Sequence, residues 1–277
     1  MMKRAVAVGI MIFCLLSVIY FLWVYEDIQK DYDAGDALYE QLKDEAYPAD
    51  GSHPDSGDEK NGTGNKADHG QAVKRDEASD AAETDMDDAD SVIVPDMDRV
   101  SEVNDELVAW ISCPGTVIDY PIAHGSDNEF YLTHLANGKK NANGCLFIDC
   151  NNAGDFSDKN TIIYGHNMHS GKMFAALLSY SEQAFFENHP YMYLTCGEKT
   201  YRLELFSAYV TESGSDAYRM KFSGSEDFAD WIKDISGRSG FKTSMQIKTT
   251  DRIVTLSTCA YDFAGARFVV HGRLKEI

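Results

Sequence analysis

The sequence predicts a mainly β domain, a barrel or a sandwich, carried behind a membrane-spanning helix and an acidic linking segment. Three observations point there. Residues 92–277 hold short apolar runs punctuated by turn residues, with few stretches of helical period. Near the N-terminus, the 21 residues from Ala5 to Tyr25 carry no charge. Between the two, residues 49–90 contain no Phe, Tyr, Trp, Leu or Ile.

The uncharged run comes first. At about 1.5 Å per residue, a helix over 5–25 reaches about 30 Å, the thickness of a bilayer's hydrocarbon core. A cleaved signal peptide usually has an apolar region of only about 7–15 residues, so a retained single-pass anchor is expected. Trp23 and Tyr25 close the run as interfacial aromatics. Lys3 and Arg4 precede it and Glu26 and Asp27 follow it. The positive-inside rule then places residues 1–4 in the cytoplasm and the rest of the chain outside the cell membrane. Ile28, Tyr32, Gly35, Tyr39, Leu42 and Ala46 recur at helical intervals, so a juxtamembrane helix is expected over 26–48, ended by Pro48.

Residues 49–91 cannot bury enough apolar surface to offset chain entropy and read as a disordered spacer holding the domain away from the membrane. A calcium site there is not supported, because the spaced ligands and turn glycine of a calcium loop are missing. The net charge of −20 divides unevenly: +2 over 1–25, −17 over 26–98 and −5 over 99–277. Acidity therefore belongs mainly to the linking segment. Without a basic face, nucleic acid is excluded as a partner.

The domain over 92–277 opens with Asp96–Leu107, where Met97, Val100, Val103 and Leu107 fall at helical spacing. Strands are then expected at Thr116–Ile122, Gly144–Asp149, Thr161–Tyr164, Tyr191–Cys196, Tyr201–Val210, Arg252–Cys259 and Arg267–Leu274. Two helical insertions interrupt them. Lys172–Tyr180 carries Met173, Phe174, Leu177 and Leu178, with a further short turn over Ser181–Asn188. In SEDFADWIKDIS, Phe228, Trp231, Ile232 and Ile235 share one face, with Ser225 as the expected N-cap.

The chemistry centres on one of six cysteines. Cys14 lies in the anchor, and the remaining odd number shows no CxxC pair. Cys145 and Cys150 stand an odd number of positions apart in one strand, so their side chains face opposite sides and a bridge is not expected. Cys113 and Cys196 read as small semi-buried residues. Cys259 ends one strand and Arg267 begins the next across a seven-residue loop, Ala260–Ala266. In an antiparallel hairpin the two stand opposed, on the face away from Val254 and Leu256. A guanidinium favours a neighbouring thiolate and can donate to an oxyanion. His166 follows a short buried strand and Gly165 in TIIYGHNMHSGKMF, where it can serve as acid or base. The alternatives are His166 with His169 as an HxxH metal pair, which lacks a placed third ligand, and His271, which alternates onto the Arg267 face. His53 and His69 fall in the spacer; His124, His134 and His189 read as turn or surface residues.

These residues resemble a known family. TLSTC, an arginine eight positions after its cysteine in ARFVVHGRL, and upstream NTIIYGHNM are similar to the signature of sortases, the membrane-anchored cysteine transpeptidases of Gram-positive bacteria. VNDELVAWISCPGTVIDYPI, SDNEFYLTH, GCLFID and MFAAL resemble class B in order, over roughly residues 95–277. The resemblance implies an eight-stranded sortase-type β-barrel with N-terminal helices and a helix between two late strands. It implies Cys259 as nucleophile, His166 as general acid/base and Arg267 as oxyanion or substrate stabiliser. Ser257, Asn128, Leu132 and Tyr218 match positions near the family's substrate groove. No cofactor or metal is implied. The implied partners are secreted proteins bearing a C-terminal sorting motif, with a peptidoglycan amine as acceptor. A pilin lysine as acceptor, a hydrolytic cysteine peptidase and a non-catalytic peptide-binding module are the alternatives. Cys145 and Cys150 depart from the family's pattern around GCLFID, and the acidic spacer is unusually long.

Overall fold

The computed structural model describes residues 2–47 and 93–277. Helix α1 runs unbroken from Met2 to Ala46, so the expected anchor and juxtamembrane helix form one rod about 68 Å long at about 1.5 Å per residue. From Ile10 onward it contains a window of mean hydropathy 1.8, enough to cross a membrane, and none of that window is buried. Its second half docks on the domain. Tyr39, Leu42 and Ala46, three of the residues at helical spacing, are buried. Gly35 permits the approach, since a Cβ there would stand 2.5 Å from Asn143 Nδ2.

The expected spacer, 49–91, and Pro48 lie outside the described residues. The points they connect are described. The Asp96 N–H donates to the Ala46 carbonyl at 2.7 Å, so the chain re-enters the domain where α1 leaves it.

Helix α2, Met97–Val103, is capped by Asp96, whose carboxylate accepts from the Arg99 N–H. The helical spacing predicted continuation to Leu107, but Asn104 stops it in an extended conformation. Its amide donates to the Ala136 carbonyl and to the Tyr131 hydroxyl, while its side-chain oxygen accepts from the Glu106 N–H. Leu107 instead opens a strand that periodicity had hidden.

Eight strands follow: β1 Leu107–Ser112, β2 Asp119–Ala123, β3 Leu146–Ile148, β4 Asn160–Tyr164, β5 Tyr191–Cys196, β6 Lys199–Glu212, β7 Arg252–Cys259 and β8 Ala266–Glu276. They close a barrel in the order β1-β2-β3-β4-β7-β8-β6-β5. All neighbours are antiparallel except β2/β3 and β4/β7. Between β4 and β5 the expected helical insertion is a 3-10 helix at Ala175–Ser181 followed by α3, Gln183–Asn188. Helix α4, Ser225–Gly237, lies between β6 and β7. Gly224, in extended conformation, occupies its N-cap, and Ser225 is already the first helical residue.

Two apolar clusters explain the strand patterns. One fills the barrel with residues such as Trp110, Leu146, Leu203, Val254, Leu256 and Val270. The second lies outside, where Phe228, Trp231, Ile232 and Ile235 of α4 cover Phe206, Tyr209, Ile253 and Val269. Strands β6, β8 and β7 are thus buried on both faces, so their apolar residues run together instead of alternating with polar ones.

Candidate active site

The parallel pairing of β4 with β7 builds the site. Parallel strands end at the same rim of a sheet. Tyr164 pairs with Ser257 at the ends of these two strands, and the Gly165 N–H continues the ladder to the Ser257 carbonyl at 3.0 Å. His166, the second residue after β4, and Cys259, the last of β7, therefore emerge side by side. Two further bonds lock the seam. Asn167 Nδ2 donates to the Cys259 carbonyl at 2.9 Å, and the Thr258 hydroxyl donates to the Gly165 carbonyl at 2.8 Å.

The β7/β8 hairpin adds the third member. Cys259 is the register partner of Arg267, and the Ala260 N–H closes the loop by donating to the Ala266 carbonyl at 3.0 Å. Both side chains are half-buried at the rim. The guanidinium donates Nη1 to the Ala266 carbonyl at 3.0 Å, leaving further N–H groups for other acceptors. Tyr261 and Phe263 in the connecting loop are exposed, and Tyr261 stacks with His169 at 6.1 Å.

His166 is held by its ring. Nε2 lies 2.7 Å from the Leu132 carbonyl. A carbonyl only accepts, so Nε2 carries a proton and Nδ1 remains the nitrogen able to gain and lose one. The Leu132 carbonyl belongs to a 3-10 turn, Phe130–Leu132. Beside it runs the 141–144 loop, where Gly144 adopts φ 62°. A Cβ on Gly144 would stand 2.6 Å from the Tyr131 carbonyl and 3.0 Å from His166 Cδ2. Only glycine fits there.

Helix α1 braces the 141–144 loop beside His166. Tyr39 donates its hydroxyl to the Gly144 carbonyl at 2.5 Å, and Asn143 Nδ2 donates to Asp36 at 3.0 Å. On the loop after His166, Lys172 pairs with Asp36 at 2.9 Å.

The four expected groove residues converge on this rim. Tyr218, in a 3-10 turn at Asp216–Tyr218, shares a 2.8 Å hydrogen bond with the Ser257 hydroxyl, two residues before Cys259. Burial pushes the Tyr218 phenol up, so it stays protonated. Tyr164 stacks on Tyr218 at 6.2 Å and donates its hydroxyl to Asp149 at 2.9 Å. Asn128 donates to the same carboxylate at 3.0 Å and accepts from the Cys150 N–H. Leu132 meets the site through its carbonyl. Sequence reading missed Tyr164, Asn167, Thr258 and Asp149 as part of this cluster. All four lie within the segments GCLFID, NTIIYGHNM and TLSTC, but the parallel pairing that brings Tyr164 and Asn167 to the end of β7 joins residues almost a hundred positions apart.

Other candidates fall elsewhere. His271 does share the Arg267 face, but α4 covers that face. It is fully buried and bonded to Thr255 and Tyr209, and burial pulls it down to about 3. It is remote from solvent and cannot serve as an active-site base. All six cysteines are free thiols. Burial raises Cys113 and Cys196 and pushes Cys145 up to about 12, leaving these as neutral packing residues.

A closed eight-stranded barrel presenting a cysteine, a histidine and an arginine at the rim of a parallel strand pair belongs to a defined class of enzyme. The chain belongs to the sortase family: the family's domain model, described as Sortase domain, matches residues 111–275. Within that family it is similar to class B. The Sortase B of Listeria monocytogenes is 36% identical over 177 residues, covering 63% of this chain and 72% of that protein. The crystal structure of Clostridium perfringens Sortase B superposes with a TM-score of 0.62 at 35% identity, over 66% of this chain and 100% of that one. A Staphylococcus aureus sortase B–substrate complex gives a TM-score of 0.62 at 30% identity, over 65% of this chain and 84% of that one. The fold is thus the expected eight-stranded sortase barrel, and family membership makes the protein a cysteine transpeptidase of the sortase type.

Proposed function

We propose that the chain is a membrane-anchored sortase that cleaves a C-terminal sorting motif in secreted proteins and transfers the acyl part to a cell-wall peptidoglycan amine. The observation that carries this reading is the junction of Cys259, Arg267 and His166 at the shared rim of β4, β7 and β8. The Cys259 thiolate attacks the carbonyl of the motif threonine, and Arg267 donates to the oxygen that becomes negative. As the carbonyl–nitrogen bond breaks, His166 gives a proton to the departing amine. An acceptor amine then attacks the thioester, His166 takes its proton, and the Cys259 thiolate leaves. Ser257, Tyr218, Asn128 and Leu132 line the groove in which the peptide lies.

Transfer is favoured over hydrolysis by family membership. With detergent-solubilised protein and a cleavable threonine-containing peptide, adding triglycine or diaminopimelate should convert most hydrolysed product into ligated product. Release of the free acid alone at millimolar amine would mark a peptidase instead. A lysine-bearing pilin peptide as the preferred acceptor would place the chain among pilin-polymerising enzymes.

The anchor reading rests on the uncharged run over 5–25 and on its continuity with the docked part of α1. About ten residues separate Tyr25 from Asp36, so the helix holds the His166 support about 15 Å beyond the apolar segment. The domain lies outside the cell membrane with residues 1–4 in the cytoplasm. Because Ala46 and Asp96 are adjacent, the acidic segment is dispensable for this geometry. Replacing residues 49–91 with a short Gly/Ser linker should leave melting temperature and peptide cleavage within about twofold of the parent, since loop length weakly affects closure entropy. A tenfold loss of cleavage would show that the segment contributes to catalysis.

A further inference from the structure

A chain of buried polar side chains runs behind the groove, and its protons are placed by elimination. Asn160 is fully buried at the start of β4. One end of its amide faces two main-chain carbonyls, those of Ala217 at 3.4 Å and Arg219 at 3.0 Å. Carbonyls only accept, so this end is the NH2 group and the other is the oxygen. That oxygen accepts from the Thr255 hydroxyl at 2.7 Å. Thr255 has then spent its single proton. Its oxygen can only accept from His271 Nδ1 at 3.0 Å, so Nδ1 bears the proton of the neutral imidazole. Nε2 is consequently bare and accepts the Tyr209 hydroxyl at 3.2 Å. Every proton points the same way, from Tyr209 under α4 towards the two carbonyls.

Those carbonyls flank Tyr218. Tyr218 is the residue that reaches Ser257, two positions from Cys259, and stacks on Tyr164. The turn is also held at its start, where the Ser215 hydroxyl accepts from the Ala217 N–H and from the Thr211 hydroxyl, and on its outer side, where Trp231 Nε1 donates to the Asp216 carbonyl at 2.8 Å. Asn160 alone grips the main chain on both sides of Tyr218, through the Ala217 and Arg219 carbonyls. We propose that Asn160 is a positioning residue, which with Thr255, His271 and Tyr209 fixes the Asp216–Tyr218 turn at the height where Tyr218 forms one wall of the peptide groove. This rests on the groove being where the scissile peptide lies, as argued above. Asn160 touches no reacting atom and acts through Tyr218.

The test uses Asn160→Asp in the full chain. The change keeps shape and the acceptor for Thr255, but turns an acceptor oxygen towards two carbonyls. Amide hydrogen exchange over residues 215–219 should accelerate at least tenfold, with β7 and β8 unchanged. For a threonine-containing peptide that the parent cleaves, kcat/KM should fall about tenfold, mainly through KM, as expected for one or two lost hydrogen bonds. Alkylation of Cys259 by iodoacetamide, which needs no groove, should stay within twofold. In a Tyr218→Phe background, Asn160→Asp should add less than a twofold further loss, because the two act as one unit. Thr255→Val should reproduce the effect more weakly and Thr255→Ser should restore it, which keeps the test decisive even if Asn160→Asp does not fold. The proposal is overturned by unchanged exchange over 215–219, by fully additive losses with Tyr218→Phe, or by Thr255→Ser behaving like Thr255→Val. These results are separable from failure of the proposed function, which would appear in the parent as activity that survives complete alkylation of Cys259.

Discussion

Cys259→Ala is expected to abolish acyl-enzyme formation and to lower peptide cleavage by about four orders of magnitude or more, as removal of a covalent nucleophile does. The substitution is structurally mild. The side chain is half-buried at the barrel rim, while the backbone carbonyl of residue 259 keeps its bond from Asn167 and the strand keeps its register with Arg267. Folding and peptide binding should therefore survive, so the loss belongs to kcat. Burial keeps Cys113, Cys145 and Cys196 as neutral thiols. Steady-state cleavage, together with circular dichroism to establish folding, checks this. Residual cleavage within a hundredfold of the parent would move the nucleophile elsewhere.

Arg267→Ala should lower kcat by about a hundred- to a thousandfold with KM close to the parent value, the signature of an interaction made in the transition state. The guanidinium stands opposite Cys259 and directs Nη1 to the Ala266 and Gly265 carbonyls, so the Nε and Nη2 donors remain for a developing oxyanion. Arg267→Lys should recover only part of the rate, because an ammonium supplies a point charge and not a planar fork. Separate measurement of kcat and KM decides the role. A loss confined to KM would make Arg267 a ground-state contact with the peptide.

How much of this was legible in the sequence depended on the range of the contact. The Cys259–Arg267 pairing is a hairpin across seven residues, and alternation placed both side chains on one face. Helix α4 was legible because Phe228, Trp231, Ile232 and Ile235 repeat at helical period. The same alternation put His271 beside Arg267 and was right about the face, but it could not show that α4 packs on that face. Strand β1 was obscured because helical spacing through Leu107 outlasts the helix, which Asn104 ends by hydrogen bonds to residues some thirty positions away. Tyr164 and Asn160 were unreadable as site components, since parallel pairing of β4 with β7 joins segments that share no local pattern. The adjacency of Ala46 and Asp96 was equally invisible.

The central claim is that a Cys259 thioester lies on the reaction path. Intact-mass spectrometry of the full chain, incubated with a panel of threonine-containing candidate motif peptides and quenched in acid, tests it directly. The account predicts an added mass equal to the acyl fragment for at least one peptide, mapped to Cys259, absent from Cys259→Ala, and discharged by triglycine or diaminopimelate. Cleavage of a peptide with no adduct on the enzyme, or an adduct that persists in Cys259→Ala, would contradict it.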